Sequence, residues 1–245
     1  MGMTKARRVL AVGLVSVSLL VACGDGDEDS SSSQPATTVA PVTSTTLSQV
    51  QLDKQKADRI VLTAADVPGY TVDPPESDDS DFGEEGAECF KNNALLLRVG
   101  EDADPRGASS ANFSKGEDVT VGSGVTFGET EDEARSAITD ISASTFPACF
   151  SRLLSAELKK DPTFTNVTAT TTKLPAITAG DQSVGYRTVV KTRVAGTNLT
   201  INFDFTFIRV GRAVAVLDAS SLGTPYPAAE RMRLATVLAG RMAAP

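Results

Sequence analysis

The stretch VGYRTVVKTRVAGTNLTINFDFTFIRV, running from Val184 to Val210, decides the fold. In its first half Val184, Tyr186, Thr188, Val190, Thr192 and Val194 alternate with Gly185, Arg187, Val189, Lys191 and Arg193. In its second half Leu199, Ile201, Phe203, Phe205 and Phe207 alternate with Thr200, Asn202, Asp204 and Thr206. A period of two sustained this long marks strands with one buried face. A turn at Gly196-Thr197 pairs them, setting Tyr186 against Phe207, Val190 against Phe203 and Val194 against Leu199, all on one side of the sheet. A second turn at Val210-Gly211 returns a strand with Val214 and Val216 opposite Phe207 and Phe205. The chain closes in an amphipathic helix whose Leu234, Leu238 and Met242 lie four apart, suited to covering that apolar side.

By the same register the opposite side carries Arg187, Lys191, Arg193 and Asp204 beside Val189, Ile208, Ala213, Ala215 and Leu217. Two readings stand for it. As a ligand groove, Arg187 and Lys191 hold an anionic head group while Val189, Ala215 and Leu217 contact its apolar part. Otherwise another helix or loop covers the apolar part and leaves the charges at the rim.

Upstream, the pattern predicts a short helix over Gln49 to Ile60 and a turn at Val67-Pro68-Gly69-Tyr70. Thr130-Glu131-Asp132-Glu133 has capping-box spacing, and Ala134, Ala137, Ile138 and Ile141 then give a helix one buried face. A further helix, from Phe146 to about Lys159, carries Phe146, Phe150, Leu153 and Leu154 on one stripe. The expected class is α+β: an antiparallel sheet with helices packed mainly on one face. Residues 49–245 are long enough for one domain with a sizeable core.

Lys5, Arg7 and Arg8 precede an apolar run from Val9 to Ala22 that is too short to span a bilayer and has the layout of a secretory signal. It ends in Leu20-Val21-Ala22-Cys23, which resembles a bacterial lipobox. That pattern implies removal of residues 1–22 and acylation of Cys23, giving a lipid-anchored protein on the extracytoplasmic face of the cell membrane. An ordinary signal peptide with an incidental cysteine is the alternative. Residues 23–48 are rich first in Asp and Glu, then in Ser, Thr and Pro, the composition of a disordered tether.

Three of the 23 Lys and Arg lie before Cys23 and none of the 31 Asp and Glu do, leaving 20 cations against 31 anions, a net −11. Such a balance argues against nucleic acid as a partner. With Cys23 given to lipid, Cys89 and Cys149 remain, to be read as one disulfide in an oxidising compartment or as two buried thiols. The carboxylate run from Asp73 to Glu88 fails the EF-hand spacing, because Gly83 stands where the loop beginning at Asp79 needs its third carboxylate. A solvated acidic loop is expected there, and no metal or cofactor site is assigned. There is no histidine, which removes Ser-His and Cys-His nucleophile arrangements and the usual zinc sites. No residue is assigned a catalytic role.

Several short motifs carry a resemblance. They are Leu62-Thr63-Ala64-Ala65-Asp66-Val67-Pro68-Gly69 near the domain start, Cys89 with a helical Cys149, and Ala179-Gly180-Asp181-Gln182-Ser183 before a strand. Ile208-Arg209-Val210-Gly211-Arg212 at a hairpin and Leu238-Ala239-Gly240-Arg241-Met242 in the last helix complete them. In these the chain resembles actinobacterial envelope lipoproteins and the extracellular sensor domain of mycobacterial PknH-type serine/threonine kinases. The resemblance implies an antiparallel sheet with packed helices, a cleft for an unidentified ligand, and no enzymatic activity. Two features depart from it: the kinase sensor domain has two disulfides where this chain can form one, and neither a kinase domain nor a transmembrane segment is present here. Two functions follow as expectations: a lipoprotein that binds or senses a small apolar or anionic envelope ligand beside the sheet, or a module that docks another envelope protein. The sequence assigns no oligomeric state.

Overall fold

The computed structural model describes residues 47–73, 83–101 and 103–245. The proposed signal, Cys23 and the proposed tether up to residue 46 lie outside the described residues, as do residues 74–82 of the acidic run. In chain order the elements are α1 (Gln49–Ile60), a 3-10 turn (Ala64–Asp66), β1 (Thr71–Val72), α2 (Gly83–Cys89), α3 (Ala94–Arg98), β2 (Ala108–Ser109), β3 (Phe113–Lys115) and β4 (Val119–Phe127). There follow α4 (Glu131–Ile141), α5 (Phe146–Lys160), β5 (Phe164–Lys173), β6 (Gln182–Val194), β7 (Thr197–Val210), β8 (Ala213–Leu222) and α6 (Ala228–Ala243). The strands form one antiparallel sheet in the order β1-β3-β4-β8-β7-β6-β5, with β2 paired to β4. This is the expected α+β class.

The β6–β7 hairpin turns on Ala195 and Gly196, both at positive φ, 47° and 87°. A two-residue type I′ loop needs two such residues, and a β-branched Thr197 is poorly suited to the second. The turn therefore falls one residue earlier than Gly196-Thr197, and the register slips by two: Tyr186 lies opposite Phe205, Val190 opposite Ile201 and Val194 opposite Thr197. The β7–β8 turn falls one residue later than Val210-Gly211, on Gly211-Arg212, with Gly211 at φ 55° taking the conformation that Val210 resists. Phe207 thus meets Val216 rather than Val214. Because the side-chain period is two, a two-residue slip changes every cross-strand pair and leaves every residue on its expected face.

Both faces of the sheet are covered. On the aromatic face, α4 brings Ala134, Ala137, Ile138 and Ile141 and α5 brings Phe146, Phe150, Leu153, Leu154 and Leu158 onto Val184, Tyr186, Val190, Phe203, Phe207, Val214 and Val216. The Tyr186 hydroxyl donates to Ile141 O at 2.8 Å, satisfying the one polar atom of that buried ring. The short helices α2 and α3 belong to this side, and Cys89 at the end of α2 is bonded to Cys149 in α5. At α4 the Thr130 hydroxyl accepts from Glu133 N, while the Glu133 carboxylate accepts from the Glu129 amide, one residue before the cap.

The opposite face is where α6 lies, which corrects the expectation that it covers the aromatic side. Leu234, Leu238 and Met242, with Ala57 and Ile60 of α1, bury Val121, Val125, Ile208, Ala213, Ala215, Leu217 and Ala219. The aromatic face is already filled by α4 and α5. The alanines of β8, facing Ala235 and Ala239 of α6, let a helix approach closely on the other side. Across β4, β8, β7 and β6 the charged side chains on this face all lie in β6 and β7, so its character grades from apolar at β4–β8 to polar at β6, with Lys115 apart at the β3 edge.

Candidate functional site

The graded face places the five expected ligand residues in three different settings. Ala215 and Leu217 are core, 0% and 1% exposed beneath α1 and α6. They line no groove, because the helix occupies the space assigned to a ligand. Val189 is half-buried and Lys191 exposed. Four residues of strand separate Lys191 from Arg187, about 13 Å along β6 at the usual rise, too far for both to grip one small head group. Arg187 is held by Asp204, its cross-strand neighbour: Nε donates to Oδ1 and Nη2 to Oδ2, each at 2.6 Å, and Nη2 also reaches Tyr226 O at 3.2 Å. The hydrogen bonds that Arg187 donates to Asp204 raise the Arg187 pKa above its ordinary value, against the opposing effect of burial.

Beside that pair stands a residue the sequence reading did not single out. Arg231, in the first turn of α6, is 4% exposed, and its Nε and Nη1 have no hydrogen-bond partner. Gly185 of β6 admits it: a Cβ there would stand 2.8 Å from Arg231 Nη1. Burial pushes the Arg231 pKa down; the Asp204 charge works against this and the nearby Arg187 charge adds to it. Directly across from Gly185, the buried Thr206 Oγ1 also has no partner. Two guanidiniums therefore lie near one buried carboxylate, and of the two only Arg187 is hydrogen-bonded to it. The helix above them starts at Pro227 with no side-chain cap, leaving the amides of Ala228, Ala229 and Glu230 without a capping acceptor. The Glu230 carboxylate is turned to Arg233, with Oε1 accepting from Nη2 at 2.5 Å and Oε2 from Nε at 2.9 Å.

A signal for Arg231 was present in the sequence. It stands three residues before Leu234 and seven before Leu238, on the buried stripe of α6, where a charged residue is unexpected.

Other charged clusters are closed. Asp53 of α1, 3% exposed, meets Arg212 at 2.7 Å, Arg106 at 3.3 Å and Gln49 at 2.8 Å, a network that ties α1 to the strand connections. Arg241 of α6 pairs with Asp66 at 2.7 Å and donates to Val61 O. Among the described residues no group of three or more Cys, Asp or Glu side chains is gathered to hold a metal ion.

The chain matches no protein-family description and no curated protein. Among solved structures it is similar to the extracellular domain of PknH from Mycobacterium tuberculosis, at a TM-score of 0.42 and 8% identity, over 77% of this chain and 95% of that one.

Proposed function

We propose that this chain is an extracytoplasmic module, anchored through lipid on Cys23, that binds or senses a small ligand at the rim where the start of α6 meets β6. It carries out no reaction. The observation that supports the binding site is Arg231, a buried guanidinium left without acceptors beside an Arg187–Asp204 pair that is already complete. A purely structural arginine at 4% exposure is expected to be paired, since burying an unpaired cation is costly. The lipobox-like Leu20-Val21-Ala22-Cys23 and the Cys89–Cys149 bond support an oxidising compartment outside the cytoplasm. Among the described residues no helix is long and apolar enough to cross a membrane; the assignment of attachment to an acyl chain rests on Leu20-Val21-Ala22-Cys23.

The docking-module reading has less support. The exposed large apolar side chains, Leu47, Leu52, Val72 and Met232, are spread over α1 and its approach, β1 and α6. The test is mass spectrometry of molecules that copurify with the natively exported protein, compared with an Arg231→Met variant. A small molecule retained by the wild type and lost from a folded variant is the expected result. Recovery of nothing but stoichiometric protein partners overturns the reading.

A further inference from the structure

The chemistry of that rim narrows the ligand class, an inference that rests on the binding reading above. We propose that the site takes an oxyanion, a phosphate or carboxylate group, held between the Arg231 guanidinium, the free edge of Arg187 and the uncapped amides at the start of α6.

Three independent features converge on it. The first is charge: Arg187 and Arg231 face Asp204 alone, and the other carboxylate nearby, that of Glu230, is engaged by Arg233. One positive charge is left over at a place where water reaches little of it. The second is donor count. Arg231 Nε and Nη1 lack acceptors, Arg187 spends only Nε and Nη2, and the first-turn amides of α6 have no capping acceptor. An uncharged ligand satisfies donors but leaves the charge, whereas an oxyanion supplies both the charge and several acceptor oxygens, in the geometry that guanidinium forks and helix starts accommodate. The third is access. Gly185 closes the inner side of Arg231 and its Nε and Nη1 are out of contact with solvent, while Pro227 and Ala228 are exposed and Arg187 keeps 20% of its side chain in solvent, so the anion approaches from the helix start and meets those nitrogens through a shift of the Arg231 side chain. A free anion and a lipid head group present the same oxygens.

The test uses the Cys23→Ala protein exported behind an ordinary cleavable signal, so that no acyl chain draws it into vesicles, as the reference for every variant; the probes are inorganic phosphate, acetate, and vesicles of phosphatidylglycerol or phosphatidylcholine, at constant ionic strength. Phosphate or acetate at about ten times its Kd is expected to raise Tm by about 3 to 6 °C in the wild type. Arg231→Met, which keeps the length of the side chain and removes its charge, is expected to abolish that shift and to raise Tm in anion-free buffer. Arg231→Lys is expected to keep a weaker response. Sedimentation with phosphatidylglycerol but not phosphatidylcholine vesicles, lost in Arg231→Met and without a response to free anions, assigns the oxyanion to a lipid head group. An equal anion response in Arg231→Met, or no response of the wild type to any anionic probe, overturns the proposal. If a neutral molecule copurifies in an Arg231-dependent way while every anionic probe is silent, the oxyanion class fails and the binding reading stands.

Discussion

Asp218 on β8 is held protonated to unusually high pH by its surroundings. Its half-buried carboxylate lies beside the Cα of Gly122, close to the Asn112 side chain, and opposite Phe205 across the strand pair. Burial pushes its pKa up to about 6 from 3.8, against a smaller opposing effect of its own backbone amide. A raised carboxyl pKa means that the folded state binds the proton more tightly than the unfolded chain. This group's contribution to stability is therefore greatest below about pH 4, declines as pH rises through about 6, and is lost above. The rise from 3.8 to about 6 corresponds to roughly 3 kcal/mol, an upper bound given the partial exposure of the side chain. Asp66 and Glu230, whose pKa values are lowered, contribute in the opposite sense, but they cancel when a variant is compared with the wild type at each pH. Asp218→Asn is expected to be more stable than the wild type at about pH 7.5, by up to about 3 kcal/mol, and nearly equal to it at about pH 4. Urea denaturation at the two pH values measures this, and an equal difference at both excludes the assignment.

At the scale of elements, the disulfide acts where helix formation is weakest. The helices α2 and α3 have seven and five residues, well short of what holds an isolated helix in water. The Cys89–Cys149 bond closes 60 residues of sequence and fastens the end of α2 to the fifteen-residue α5. Chain entropy gives such a loop about 4 kcal/mol. Intact protein is expected to show no thiol at either position before reduction, and reduction to lower the urea midpoint with loss of protection first in residues 86–98, readable by hydrogen exchange. Free thiols in the unreduced protein would remove the staple from the account. The elements show what the sequence revealed and what it hid. The span of α1, the start of α5 and the faces of β6, β7 and β8 were legible, because each follows from periodicity inside one segment. The cross-strand pairs differ by two residues from those of a turn at Gly196-Thr197, because the positive φ values fall on Ala195 and Gly196. The side on which α6 packs is not legible in the sequence, because amphipathicity says that a helix covers a face, not which of two faces still has room. The same ambiguity hid the site. Once α6 is on the β8 side, Ala215 and Leu217 become core and Arg231 becomes the neighbour of Arg187.

At the scale of the whole molecule, the proposed lipid on Cys23 would join this domain to a bilayer through sequence outside the described residues, and such an attachment bears on which oxyanion is met. Cys23 and Leu47 are 24 residues apart, so a chain acylated at Cys23 holds the start of α1 within roughly 80 Å of the membrane even when fully extended. Head groups and soluble envelope anions both lie within that reach. One acyl chain alone gives only marginal, reversible membrane attachment, and stable anchoring needs a second chain or a second attraction. With −11 net charge from Cys23 onward, the domain gains no general attraction to an anionic surface. Lipid on Cys23, rather than the domain, is therefore expected to hold the protein at the membrane. Metabolic labelling with palmitate followed by fractionation tests this: the wild type should incorporate label and sediment with membranes, and Cys23→Ala should do neither. Because the packed elements begin at α1, far along the chain from Cys23, the variant should keep the near-ultraviolet circular dichroism and urea midpoint of the lipid-free domain. Label incorporated normally into Cys23→Ala would show that the acylation site lies elsewhere. An unlabelled wild type would leave Leu20-Val21-Ala22-Cys23 as the end of an ordinary signal peptide.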